Sequence, residues 1–505
     1  MTTMSTSPLS HHKLLRPVFV MIALSLVASA TILSYPSFGA TTAALKWTKC
    51  DTKFKCAVLQ VPTDYSNPSD GSLGISVIEL PATGASPLGD IVINPGGPGA
   101  SGISFLEQSV SIFPTSLRKQ FNLVSFDPRG VGASDPVNCS DAAGVRALIG
   151  LNPSPTTTSQ INQVIAGVKS YVAGCKAETP ASLLDNVSTL DTARDLDRLR
   201  IALGQSKLNY LGFSYGTYLG EQYIKLFPHN FRAIVLDGVV DPALSETASD
   251  EQQAEGFQTD LQDFYNWCPT NKTCTTDFPK GVKSSLNTLF TEFQNGKTLN
   301  AQLAAEYGGT VKVDDGVLIT AVIASLYADQ EWPSLAQAIS SALRGNGEPL
   351  VAIAYNYAGL QQGGTYSNML ASNTATNCED NKSPTQIAQY QSLAKQMAKA
   401  APDFGASEAW GTLVCSYWPV HIASAPAPIA NHSKNTVLVI GSTGDPATPY
   451  SGAVAVTKQL GNAVLLTRKG SGHTAYEFSS CIRTDADSYF TTLALPPKNT
   501  VCASN

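Results

Sequence analysis

Gly212-Phe213-Ser214-Tyr215-Gly216 is the stretch from which the rest of the chain can be read. It follows a strand-like run, Lys207-Leu208-Asn209-Tyr210-Leu211, and opens a helix-like run, Thr217-Tyr218-Leu219-Gly220-Glu221-Gln222-Tyr223-Ile224. A serine between two glycines at a strand-to-helix turn sits in a strained backbone conformation, and a Cβ on either flank would clash. The turn holds the serine Oγ out at the end of the sheet and points the next amide at an oxyanion. The five residues alone are a weak signal, since the chain has 39 Gly in 505 residues. Their neighbours decide.

On the N-terminal side, Asp191 to Leu203 reads as a helix, with Ala193, Leu196, Leu199 and Leu203 on one face, Asp191 as N-cap and Gly204 as the stop. On the C-terminal side, Arg232-Ala233-Ile234-Val235-Leu236 is a short continuous apolar run, the pattern of a strand buried on both faces. The same text occurs at Asp90–Asn94 and Phe121–Phe126, and again at Thr436–Gly441 and Ala463–Thr467. A hairpin is expected between Cys56–Pro62 and Ile75–Leu80, turning near Gly71. Residues 139–185 read as a polar surface excursion. From about 245 to 410 helical patterns dominate (Gly316–Tyr327, Pro333–Leu343, Pro384–Ala400), with little strand signal. The expectation is an α/β class protein with a mostly parallel central sheet and an inserted helical cap. Its parts would be an export signal over 1–40, the first part of the α/β core over 45–244, the cap over 245–410, and the C-terminal part of the core over 411–505.

A serine hydroxyl needs a general base, and the base needs an orienting carboxylate. Of six histidines, His11 and His12 lie in the N-terminal segment, His229 at a helix end, and His421 and His432 around a proline-rich loop, Ser424–Pro428. His473 alone follows a buried strand in a glycine turn, Gly470-Ser471-Gly472-His473-Thr474. The acid should end the preceding strand, where Gly444-Asp445-Pro446 supplies Asp445. The order Ser214, Asp445, His473 is that of α/β-hydrolases. The oxyanion donors should be the amide of Tyr215 and one from Gly96-Gly97-Pro98-Gly99, for which Gly97 is chosen. Asp127 and Arg129 are read as a buried ion pair shaping a turn, and Asp237 as structural. The motifs call for no cofactor and no metal.

With these pieces in place the chain resembles the secreted tripeptidyl aminopeptidase and prolyl aminopeptidase branch of the α/β-hydrolases. The likeness rests on Asn94-Pro95-Gly96-Gly97-Pro98-Gly99, Asp127-Pro128-Arg129-Gly130, Gly212–Thr217, Gly444-Asp445-Pro446 with Thr448-Pro449, and Gly472-His473-Thr474. Leu326-Tyr327, Trp332–Ala336, Cys415–Pro419 and the Cys481 to Cys502 tail extend it, so that it runs from about Trp47 to Cys502. It implies amide hydrolysis through an acyl-enzyme, releasing tripeptides or single residues from free N-termini. It also implies cap carboxylates that bind the substrate ammonium, with Glu379 and Asp380 as the candidates. Asn94-Pro95 stands where the single-residue prolyl enzymes tend to have histidine, which favours the tripeptidyl-like side. A carboxylesterase or lipase on the same scaffold is the alternative, and a non-catalytic binding protein a remote one.

Composition narrows the setting. Charged residues make up 14% and the net charge is −6, which gives no basic surface for nucleic acid. His11, His12, Lys13 and Arg16 precede an uncharged run from Val18 to Leu33, the pattern of a signal peptide, with cleavage after Ala30 or near Gly39 and Ala40. About 16 apolar residues fall short of the ~20 a spanning helix needs, so no stable membrane span is expected after cleavage. Ten cysteines without a CxxC pair fit disulfides in an oxidising, extracytoplasmic compartment. Spacing does not give connectivity; pairing between sequence neighbours is expected: Cys50–Cys56, Cys139–Cys175, Cys268–Cys274, Cys378–Cys415 and Cys481–Cys502. Asn138, Asn186, Asn271, Asn381 and Asn431 begin Asn-x-Ser/Thr sites.

Overall fold

In the computed structural model, residues 44–420 and 425–503 are described. The signal segment, His11, His12 and His421 lie outside them. Among the described residues twelve strands occur in chain order: β1 (Thr48–Lys49), β2 (Lys55–Pro62), β3 (Ser72–Leu80), β4 (Gly89–Asn94), β5 (Phe121–Phe126), β6 (Leu208–Phe213), β7 (Phe231–Asp237), β8 (Leu299–Gln302), β9 (Thr310–Val313), β10 (Val437–Gly444), β11 (Ala463–Ser471) and β12 (Val501–Cys502). Ten of them form one sheet in the order β1-β2-β3-β5-β4-β6-β7-β10-β11-β12. Pairing is antiparallel from β1 to β5 and parallel from β5 through β4 to β12. The expected hairpin is β2–β3, in register from Lys55 opposite Glu79 to Pro62 opposite Ser72.

The continuous apolar runs arise because both faces of the sheet are covered. Val92, Tyr210, Ile234, Leu236 and Val439 point into one core. Their immediate neighbours Ile91, Ile93, Leu211, Val235, Leu438 and Ile440 point into another on the opposite face. Period-two alternation with both sides buried leaves no polar position to break the run.

Between β7 and β10 lie helices with a core of their own. Phe257, Leu261 and Phe264 of the helix Glu246–Trp267 meet Leu318, Val322 and Leu326 of the helix Asp315–Leu326 and Leu335 and Ile339 of the helix Trp332–Leu343. The region also holds strand structure, the small β8–β9 hairpin. Among the described residues no helix is long and apolar enough to cross a membrane.

Three expectations need correction. Residues 139–185 are not an irregular excursion: they contain the 21-residue helix Thr158–Glu178, opened by a capping box between Thr157 and Gln160. Its Ile161, Val164 and Val168 pack against Tyr390, Met397 and Trp410, and its Tyr171 and Val172 join a core of the sheet. The helix before the elbow starts at Thr189, with Ser188 as the N-cap accepting the Asp191 amide, so Asp191 sits three residues inside. Arg129 does not pair with Asp127. Its guanidinium reaches Asp195 at 2.7 and 2.8 Å and also donates to the carbonyls of Pro62, Thr63 and Asn186. Asp127 instead accepts from Ser101 Oγ and the amides of Ile103 and Ala133. All five cysteine pairs join sequence neighbours as expected.

Candidate active site

Ser214 lies between β6 and the helix Tyr215–Leu226, with φ 54° and ψ −128°. A non-glycine residue in that region carries strain of order 1–3 kcal/mol. Hydrogen bonds hold it: the Ser214 amide donates to Asp237 O at 2.9 Å, and its carbonyl accepts from Thr217 N at 2.8 Å and Thr217 Oγ1 at 2.6 Å. The flanking glycines are forced by contact. A Cβ on Gly212 would stand 2.3 Å from Gly216 O, and one on Gly216 would stand 2.6 Å from Asn94 O.

The loop after β4 lies directly over this turn. A Cβ on Gly96 would come within 3.0 Å of both Ser214 Cβ and the Tyr215 nitrogen. Asn94 Oδ1 accepts the Gly96 amide at 3.0 Å and pins the loop. The Tyr215 amide is the first of its helix, where N–H groups have no intrahelical acceptor. Gly97 and Tyr215 line the same cavity as Ser214. The two residues read from the sequence as oxyanion donors therefore lie on the cavity that Ser214 opens into.

Asp445 and His473 come together at the ends of the adjacent parallel strands β10 and β11. His473 Nδ1 is 2.9 and 3.1 Å from the two Asp445 oxygens. The carboxylate also accepts from the amides of Ala447, Thr448 and Thr474 and from Thr448 Oγ1 at 3.1 Å. Burial of the ring disfavours its charged form, but the Asp445 carboxylate outweighs it and raises the His473 pKa above the usual imidazole value. His473 Nε2 is buried without a hydrogen-bond partner, Ser214 included. Serine and histidine nevertheless share a neighbour. Asp237 O holds the Ser214 amide, and a Cβ on the next residue, Gly238, would lie 3.2 Å from His473 Cε1. The Asp237 carboxylate accepts the amides of Ala475 and Tyr476, anchoring the chain beyond His473, and burial pushes its pKa up to about 7.

Ser214 opens into a cavity of about 440 Å³ between the strand ends and the inserted helices. Four carboxylates line it (Asp241, Glu246, Asp250 and Asp380) against one lysine, Lys225. Burial pushes Glu246 and Asp380 up to about 7 and raises Asp250 as well. Among the described residues none of these four forms an ion pair. The two carboxylates singled out in the sequence part company here. Asp380 lines the cavity and accepts from Thr189 N at 3.0 Å and Thr189 Oγ1 at 2.5 Å. Glu379 points away into the core, where one oxygen accepts the Val187 amide at 2.7 Å and the other has no partner. Burial pushes Glu379 up to about 9, which keeps it a neutral acid, so it does not face the cavity as a charge.

Asp241, Glu246 and Asp250 were missed by the sequence reading. Their one signal is local: four acids, Asp241, Glu246, Asp250 and Glu251, fall within eleven residues of an acid-poor chain, at the point where strand text gives way to helices. His229 and His432 do not line the cavity.

Comparison with known proteins bears on the fold and the family. Residues 91–277 match the family described as "alpha/beta hydrolase fold", and residues 401–502 match "TAP-like protein". The chain is 31% identical to "Serine protease Hip1" of Mycobacterium tuberculosis over 456 residues, covering 88% of this chain and 87% of that protein. It is 34% identical to "Carboxylesterase B" of the same species, covering 89% and 86%. It is 29% identical to "Tripeptidyl aminopeptidase" of Streptomyces coelicolor, covering 91% and 86%.

Proposed function

The chain belongs to the α/β-hydrolase family, with a TAP-like C-terminal segment, and from that premise we propose that it is a serine exopeptidase removing short fragments from free peptide N-termini. Ser214 Oγ attacks the scissile carbonyl while His473 Nε2 takes its proton, and Asp445 holds the imidazole and stabilises its charged form. The amides of Tyr215 and Gly97 receive the oxyanion, each worth roughly 2.7–4 kcal/mol in the transition state. His473 then protonates the leaving amine, and water, activated by the same base, releases the N-terminal fragment from Ser214. The inserted helices over 245–410 act as the cap that encloses the substrate.

One observation carries the peptidase reading: the cavity beside Ser214 is lined by four partly buried carboxylates against a single lysine, Lys225, and among the described residues none of the four is in an ion pair. A peptide's ammonium balances that excess, and an ester without a charge does not. Asp380, Glu246 and Asp250 are its partners in this reading. Glu379 supports the wall behind them. The uncharged run near the N-terminus and the five disulfides support an extracytoplasmic enzyme.

An esterase is the second reading, favoured by the relative named carboxylesterase B. Peptide anilides with free and acetylated N-termini, run beside p-nitrophenyl esters, separate the two. The proposal expects anilide release only from free N-termini. Fast ester turnover without any anilide release would remove it.

A further inference from the structure

The imidazole of His473 stands in a slot with one wall from the sheet and the other from the inserted helices. On the sheet side is Gly238, whose missing side chain leaves no room to spare. On the other side is Tyr327, the residue that ends the helix Asp315–Leu326. Its ring meets the imidazole edge to face, with centroids 5.4 Å apart and planes at 86°. Its carbonyl oxygen accepts the His473 amide at 2.8 Å. The loop carrying His473 has a second tie to the same inserted region, from Ser471 Oγ to Asp263 Oδ2 at 3.3 Å. Its remaining ties are to the sheet: Gly472 N donates to Gly444 O at 3.0 Å, and Arg468 Nη1 to Ser471 O at 2.9 Å. The Tyr327 hydroxyl accepts from Tyr357 Oη at 3.2 Å, and both tyrosines line the substrate cavity.

We infer that Tyr327 is a positioning residue for His473, so that the inserted helices complete the catalytic geometry as well as enclosing the substrate. The inference rests on reading Ser214, Asp445 and His473 as the triad. Asp445 fixes one nitrogen of the ring, but Nε2 has no hydrogen bond of its own, so its place is set by packing against the ring faces. Gly238 offers backbone only. Asp445 and Thr448 Oγ1, at 3.3 Å, both act on Nδ1, so the Tyr327 ring is the aromatic contact that restrains the rest of the imidazole. A displacement of about 1 Å at such a base costs on the order of 10²-fold in rate.

The test compares Tyr327→Phe and Tyr327→Ala in the full-length protein, with active sites counted by a fluorophosphonate that labels Ser214. With p-nitrophenyl acetate, Tyr327→Phe should keep kcat per labelled site within about threefold of wild type. Tyr327→Ala should lose about tenfold or more in kcat and in labelling rate, with KM within about threefold. The low-field proton signal of His473 Nδ1–H should persist in the Phe variant and broaden or shift in the Ala variant. If Tyr327→Ala does not fold, Tyr327→Leu fills the volume without the aromatic wall and carries the same expectation. A folded Ala or Leu variant that works at the wild-type rate overturns the inference. So does one that loses rate with the Nδ1–H signal unchanged. Wild-type protein that is not labelled at Ser214 would instead overturn the triad reading beneath it.

Discussion

Replacing Asp380 by Asn removes one cavity charge while keeping the side chain's shape and an oxygen for the Thr189 amide, which Asp380 accepts at 3.0 Å. An ammonium at about 4 Å from a carboxylate gains on the order of 4 kcal/mol at an effective dielectric constant of 20. After desolvation, a hydrogen bond to a charged group nets roughly 1.5–3 kcal/mol, or about 10- to 150-fold in kcat/KM. Glu246 and Asp250 remain in the variant, so the lower end is expected at pH 8. The effect should depend on pH in a definite direction. Burial holds Asp380 near 7, so below that the wild-type carboxyl is itself neutral and the two proteins converge. At pH 5.5 their ratio on free-amine peptides should approach one. The assay is steady-state kinetics on peptide anilides from pH 5.5 to 8, with p-nitrophenyl acetate as the substrate without an ammonium. Equal losses on both substrates at pH 8, or a ratio that ignores pH, would refute the ammonium assignment.

Glu379→Gln should leave KM for the same peptides within about twofold, because a carboxyl pushed up to about 9 is already neutral and Gln is its near isostere. Gly96→Ala should cut kcat by roughly 10²–10³-fold with a folded protein by circular dichroism, since its Cβ intrudes 3.0 Å from Ser214 Cβ and the Tyr215 nitrogen and displaces an oxyanion donor. The acid limb of kcat/KM should lie above the ordinary imidazole value: Asp445 raises His473, and the base works only when neutral, so rate is lost as pH falls through that raised pKa. Asp195→Ala should lower stability by about 3–5 kcal/mol in denaturant melts, because it strands Arg129, whose side chain is 0% exposed, without its carboxylate.

How much the sequence revealed depended on the range of the interaction. The strands β4, β5, β6, β7, β10 and β11 were legible because burial on both faces writes itself as a continuous apolar run. Ser214, Asp445 and His473 were legible because each sits at the end of such a strand, beside glycines or proline. The helix Thr158–Glu178 was not. Its buried stripe of Ile161, Val164, Val168, Tyr171, Val172 and Cys175 is interleaved with Gln, Asn, Ser and Lys, and Gly167 and Gly174 weaken its propensity. Those glycines answer to tertiary contacts: a Cβ on Gly174 would stand 2.1 Å from Cys139 O. Arg129 was assigned the nearest acid in sequence, whereas its partner lies 66 residues away on another element. The cavity acids failed to stand out for the same reason. Asp241, Glu246 and Asp250 meet Asp380 only after the inserted helices fold back over the elbow.

The central claim is that Ser214 takes the N-terminal fragment of a peptide as an acyl group. Acid quenching during turnover of an unblocked peptide, followed by digestion and mass spectrometry, reads that species directly. The account predicts an adduct on Ser214 with the mass of the substrate's first one to three residues, and none from the acetylated peptide. An adduct built from internal residues, or one formed equally well from the acetylated peptide, would contradict it.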